Sequence, residues 1–138
     1  KKKLIDLVQR YGLSKKVEFI QHCKEMPLAY SLSNVVVSAS IKPEAFGRVS
    51  IESQAMGKVI IASDIGGSNE TILNKKSGFL YKHSDPRELA KILNTVMELD
   101  QDTINAIGNE GRKNVSNKFD VELMCESTLR EYKKLIYN

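Results

Sequence analysis

Asn34-Val35-Val36-Val37-Ser38-Ala39-Ser40 is the stretch on which the fold class turns. Adjacent β-branched residues favour a strand, and a strand with no polar face predicts cover on both sides, the pattern of a parallel sheet. Val59-Ile60-Ile61-Ala62 repeats that pattern after a loop with Pro43 and a helix predicted over Gly47–Met56, ended by Gly57. Further on come Asp64, a Gly66-Gly67 turn, a helical turn at Glu70–Leu73 and a short strand, Gly78-Phe79-Leu80-Tyr81. Asp85-Pro86-Arg87-Glu88 reads as a helix start, with Asp85 as cap, Pro86 first in the helix and Glu88 reaching back. Leu89, Ile92, Leu93, Val96 and Met97 would be its buried stripe. Two helical stretches follow, about Thr103–Ser116 and Val121–Tyr137. Upstream, Leu4, Ile5, Leu7, Val8 and Tyr11 stand at helical spacing before Gly12, Val17–Ile20 alternates as a brief strand, and Met26–Leu32 suits a short helix. Strands alternating with helices predict an α/β fold with a mostly parallel sheet.

The 138 residues suffice for one domain with a real core, and the predicted unit is a single domain over 1–138. An apolar fraction of 41% and a charged fraction of 28% are those of a globular protein. No apolar run reaches the roughly 18 residues of a membrane span, and Lys1–Lys3 lead into no signal-like apolar core. The first residue is lysine, which reads as a piece of a longer chain. Cys23 and Cys125 are too few and too far apart for a disulfide scaffold, so a reducing, cytosolic setting is expected. His22 and His83 add no metal-ligand spacing, and no metal site is expected. The net charge of +4 is modest, and the aromatics do not interleave with the lysines, which argues against nucleic acid as a partner.

Ligands of parallel sheets bind beyond the carboxyl ends of the strands. There the sequence runs Glu44-Ala45-Phe46-Gly47-Arg48-Val49-Ser50-Ile51-Glu52. It sets one carboxylate at a strand mouth, a glycine at a helix start and a second carboxylate two turns on. Gly47 admits close approach to the backbone. The free amides of Phe46, Gly47, Arg48 and Val49 at the helix start would favour an anion such as phosphate. A hydrolytic pair fits poorly, because eight residues of helix separate the two backbones by roughly 12 Å, against roughly 5–9.5 Å for glycosidase carboxylates. A ligand with hydroxyl groups at both ends and charge between them fits better.

Glu44 to Glu52 resembles the paired-glutamate motif of the family 4 retaining glycosyltransferases, with Phe-Gly inside it. The resemblance continues through Gln54-Ala55-Met56-Gly57-Lys58, Val59–Asp64, Gly66-Gly67 with Glu70, and Gly78–Tyr81 followed by Asp85-Pro86 and Leu89-Ala90. It implies a GT-B architecture, two Rossmann-like domains across a cleft, of which this chain is the C-terminal, donor-binding one. The acceptor domain is then absent from this chain. Further implications are that Glu44 is the catalytic contact to donor-sugar hydroxyls, that Glu52 accepts hydrogen bonds from ribose, that Phe46–Val49 hold diphosphate and sugar, and that Gly66, Gly67 and Glu70 form a second loop of the site. Gln21–Cys23 would border the base. The donor is a nucleotide-diphosphate sugar, no metal is required, and the acceptor is a glycan or lipid reached through the other domain. Peripheral association with the inner face of a membrane is compatible with the basic N-terminal helix. Ala39, Ser53, Gln21 and the lack of proline between Lys58 and Val59 depart from the family pattern without removing a ligand-contacting group.

The resemblance also implies a strand order of 3-2-1-4-5-6, in which Val17–Ile20 is the third strand and Val35 begins the fourth. The two strands between them are not in this sequence. Val59 and Val35 strands should therefore pair, and Val17–Ile20 should have no direct sheet neighbour from its own chain, being completed by another copy or by a longer chain. A non-catalytic nucleotide-binding module, or an isomerase or phosphorylase on the same architecture, would share these features.

Overall fold

The computed structural model describes residues 2–137. Its elements run α1 (Lys2–Arg10), α2 (Met26–Leu32), β1 (Val35–Ser38), α3 (Arg48–Ala55), β2 (Val59–Ser63), α4 (Ser68–Thr71), β3 (Phe79–Tyr81), α5 (Pro86–Met97), α6 (Gln101–Lys118) and α7 (Val121–Tyr137). The strands form one parallel sheet in the order β1-β2-β3, with Val35 opposite Val59, Ser38 opposite Ala62 and Ile61 opposite Phe79. The predicted pairing of the Val35 and Val59 strands is thus present.

β2 carries the core. Every residue from Val59 to Ser63 is buried, and full burial of each Val or Ile contributes about 1.5–3 kcal/mol. Val59 and Ile61 pack with Tyr81, Val96 and Ile107 on one face, while Ile60 and Ala62 pack with Ile72 on the other. Alternate residues of a strand point to opposite faces, so an unbroken apolar run is what a two-sided strand needs.

Four expectations are corrected. β1 is not fully covered on both faces: Val35 and Val36 are partly buried against the two core clusters, but Val37 is 40% exposed. Val17–Ile20 forms no strand, because no neighbouring strand meets its backbone groups and local alternation alone cannot hold an extended chain. Met97 leaves the buried stripe of α5 and is 77% exposed, while Val96 is buried and Leu89, Ile92 and Leu93 are partly so. Glu88 does not close a capping box. Asp85 caps α5 through the amides of Arg87 and Glu88, each at 3.0 Å, but the Glu88 carboxylate accepts from the Lys82 amide at 2.7 Å.

A buried polar cluster fixes α3 against its neighbours. Gln54 Nε2 donates to the carbonyls of Ser50 and Thr71 (3.0 and 2.9 Å), and Asn114 Nδ2 donates to Gln54 Oε1 and the Thr71 carbonyl (3.1 and 3.0 Å). Burial makes these bonds costly to break, since each leaves an unsatisfied group behind. They tie α3 to α4 and α6, and thereby set the direction of the carboxylates on and beside α3. Ser53, one of the departures noted above, is buried and donates to the Ser50 carbonyl at 3.1 Å.

Candidate functional site

The loops after β1 and β2 lie against each other at the carboxyl end of the sheet. Gly66 sits at φ +61°, and a side chain there would fall 2.6 Å from the Glu44 carbonyl oxygen. The Gly67 amide donates to that same carbonyl at 2.8 Å, and a Cβ on Gly67 would fall 2.6 Å from the Phe46 carbonyl carbon. The pair of glycines therefore does more than turn the chain, because it lets the backbone of Glu44–Phe46 settle directly on the second loop. Glu44 is half-buried. Its carboxylate accepts from the Ser40 hydroxyl, and the Ser40 carbonyl accepts from Ser63 Oγ at 2.8 Å. The β1–α3 loop is thus held at Ser40 and at Glu44.

α3 begins at Arg48 with Gly47 as its cap at φ +74°, a left-handed conformation that favours glycine. Ser50 is the first residue of the turn whose amide bonds back, to the Gly47 carbonyl at 2.9 Å. The amides of Arg48 and Val49 precede that bond, as the opening amides of a helix do, and they form part of the positive end of its dipole. The Phe46 ring turns away from this point to meet Phe119 edge-on, with ring centroids 5.8 Å apart.

Glu52, one and a half turns into α3, is held by two side chains. Tyr30, buried on α2, donates its hydroxyl to Glu52 Oε2 at 3.0 Å. Arg48 donates Nε and Nη2 to Oε1 at 3.1 and 2.8 Å. Glu52, Arg48 and Tyr30 line a pocket of about 430 Å³ together with Lys24, Met26 and Met56. Glu44 is not part of that pocket. The two carboxylates have separate partners, Ser40 for Glu44 and Tyr30 with Arg48 for Glu52. Glu70 is exposed on α4, beyond the two glycines, and Gln21–Cys23 lie in an irregular segment. Among the described residues, no three His, Cys, Asp or Glu side chains gather as a metal cage would require.

Sequence reasoning missed Tyr30 and Ser40. Tyr30 stands 22 residues before its partner, in a short helix whose periodicity marks it only as apolar cover. Its burial comes first, and the hydrogen bond and charge of Glu52 next, in pushing the phenol up to about 12, with Arg48 opposing. The sign follows from linkage: a folded value above the ordinary one near 10 gives a contribution that is intact below pH about 10 and lost as pH rises through about 12. Urea unfolding between pH about 9 and 12 should show stability falling with pH, and Tyr30→Phe should make that fall shallower. An unchanged slope would show that Tyr30 titrates as freely in the folded protein as in the unfolded one.

Residues 1–114 match the family described as Glycosyl transferases group 1. The chain belongs to the group 1 glycosyltransferases. It is 32% identical over 110 residues to the capsular polysaccharide biosynthesis glycosyltransferase CapM of Staphylococcus aureus, which covers 80% of this chain and 28% of CapM. Among solved structures, a glycosyltransferase from Rickettsia africae superposes with a TM-score of 0.94 at 34% identity, over 99% of this chain and 36% of that one. Anabaena HepE in complex with UDP and glucose gives a TM-score of 0.90 at 29% identity, over 96% of this chain and 36% of HepE. This group 1 chain thus spans about a third of the length of these relatives, and its parallel sheet with flanking helices matches the C-terminal domains of GT-B glycosyltransferases. No helix among the described residues is long and apolar enough to cross a membrane.

Proposed function

We propose that this chain is the donor-binding half of a retaining hexosyltransferase that takes its sugar from a nucleotide diphosphate. The observation that carries the reading is the arrangement at α3: a helix start with free amides, capped by Gly47, with Glu44 on one side and Glu52 on the other. The amides from Phe46 to Val49 would hold the diphosphate, as anions are held at helix starts. Glu52 would accept from the ribose hydroxyls, and Glu44 from hydroxyls of the sugar close to the carbon that reacts. Gly66 and Gly67 support the Glu44 loop from beneath, with Glu70 at the rim. Support from relatives is consistent with this, since HepE is described in complex with UDP, with UDP and glucose, and with UDP-glucose.

On this reading the leaving diphosphate is stabilised by the helix start and by basic side chains, and no metal or other cofactor is needed. The acceptor, a glycan or a lipid-linked sugar, is met by a second, N-terminal domain outside these residues, so this chain alone binds donor without turning it over. The enzyme would work in the cytoplasm, at the inner face of the membrane when the acceptor is a lipid.

Glu52→Gln in the complete enzyme tests the ribose assignment. The substitution keeps size and shape but weakens one of the strongest kinds of acceptor, a carboxylate. The donor KM should rise about tenfold, corresponding to loss of about 1.4 kcal/mol, with kcat changed little. A donor KM equal to that of the wild type would remove Glu52 from the ribose site.

A further inference from the structure

Glu52 is held by one buried partner and one exposed partner. A carboxylate offers about four lone-pair positions on its two oxygens. Oε1 takes both Arg48 bonds and Oε2 takes the Tyr30 hydroxyl. The two partners differ in kind. The Arg48 side chain is 84% exposed, and its pairing with Glu52 runs in the less favourable helix order, Arg before Glu at four residues. Such an exposed pair adds little to stability and is easily exchanged. Tyr30 is 4% exposed and comes from a different element, α2, whose backbone is fixed by its own helix. Its hydroxyl meets Glu52 from a ring that is packed in the core.

We propose that Tyr30 is a positioning residue for donor binding: it fixes the Glu52 carboxylate through Oε2, while Arg48 occupies Oε1 until a vicinal diol displaces it. The inference rests on the ribose assignment made above for Glu52. With Tyr30 in place, one lone pair of Oε2 stays open and both of Oε1 become open when Arg48 withdraws. A pair of adjacent ribose hydroxyls then finds two acceptors already oriented, which spares the cost of ordering the Glu52 side chain at the moment of binding. Without the Tyr30 hydroxyl, the carboxylate is free to follow Arg48 towards solvent.

The experiment compares UDP, GDP and ADP with their 2′-deoxy counterparts in the complete enzyme and in Tyr30→Phe, by calorimetric titration. In the wild type, the ribonucleotide that binds best should be preferred over its deoxy form by about tenfold, the effect of one hydrogen bond to a charged group. In Tyr30→Phe that preference should shrink to about twofold, the donor KM should rise severalfold, and kcat should hold within about twofold. The preference ratio is the decisive readout, because a substitution that only loosened the fold would weaken both nucleotides alike. A wild type that discriminates and a Tyr30→Phe that discriminates equally would overturn the role of Tyr30 and leave Glu52 in place. A wild type that binds ribo and deoxy forms equally would overturn the ribose assignment and this inference with it.

Discussion

Replacing Glu44 with Gln in the complete enzyme is expected to lower kcat by about 10²- to 10³-fold while leaving the donor KM within about threefold. The fold should tolerate the change. Gln keeps an oxygen able to accept from Ser40, and the Glu44 carbonyl that receives the Gly67 amide is untouched. What disappears is a negative charge. On the proposed function, positive charge would grow on the sugar ring as the bond to the diphosphate breaks, so a carboxylate beside it would be worth more in the transition state than in the ground state. Steady-state kinetics with saturating acceptor would measure both parameters. If KM rises and kcat holds, Glu44 only binds the donor; if neither moves, it has no part in the reaction.

Gly66→Ala should cost about 2–4 kcal/mol of stability, the second large effect. About 1 kcal/mol comes from holding a residue with a Cβ in the left-handed region, and about 1–3 kcal/mol from forcing it into filled space. At φ +61° the new methyl would lie 2.6 and 2.8 Å from the Glu44 carbonyl oxygen and amide nitrogen, and 3.0 Å from Pro43 Cα. These are main-chain atoms that cannot swing aside as a flexible side chain would. The loop carrying Glu44 must therefore lift, and donor affinity should fall at least tenfold together with stability. Chemical denaturation and nucleotide titration would report the two losses. A variant within about 0.5 kcal/mol of wild type would show that the loops can part without harm.

Much of this could be read from the residues, and the parts that could not share a cause. β2 and its pairing with β1 were legible because a run from Val59 to Ala62 without a polar residue admits one environment, the middle of a sheet. The same reasoning failed for β1, since three valines do not say how many strands lie beside them, and Val37 is partly bare. The alternation of Val17–Ile20 misled for a related reason: a strand exists only through its neighbours, and local pattern carries no information about them. At the site, Glu44, Gly47, Glu52 and the two glycines stood out by type and spacing. Tyr30 did not. Its hydroxyl reaches Glu52 only because the β1–α3–β2 crossover brings Glu52 on α3 within reach of α2, a relation between segments that periodicity does not encode. Ser40 is closer in sequence to Glu44, but a serine in a loop gives no sign of which group it will serve.

The bond from the Gly67 amide to the Glu44 carbonyl, with Ser63 fastened to the Ser40 carbonyl, has a consequence for how such a domain can diversify. Two loops joined at two points, Ser40 and Glu44 on the first, constrain each other's length. An insertion in either would break bonds in the other, so neither can change length by itself. On the proposed function, new donor preferences would have to be written in the side chains standing on these loops, such as the exposed Ala45, and a lineage that altered the loops themselves would need matched changes in both segments at once.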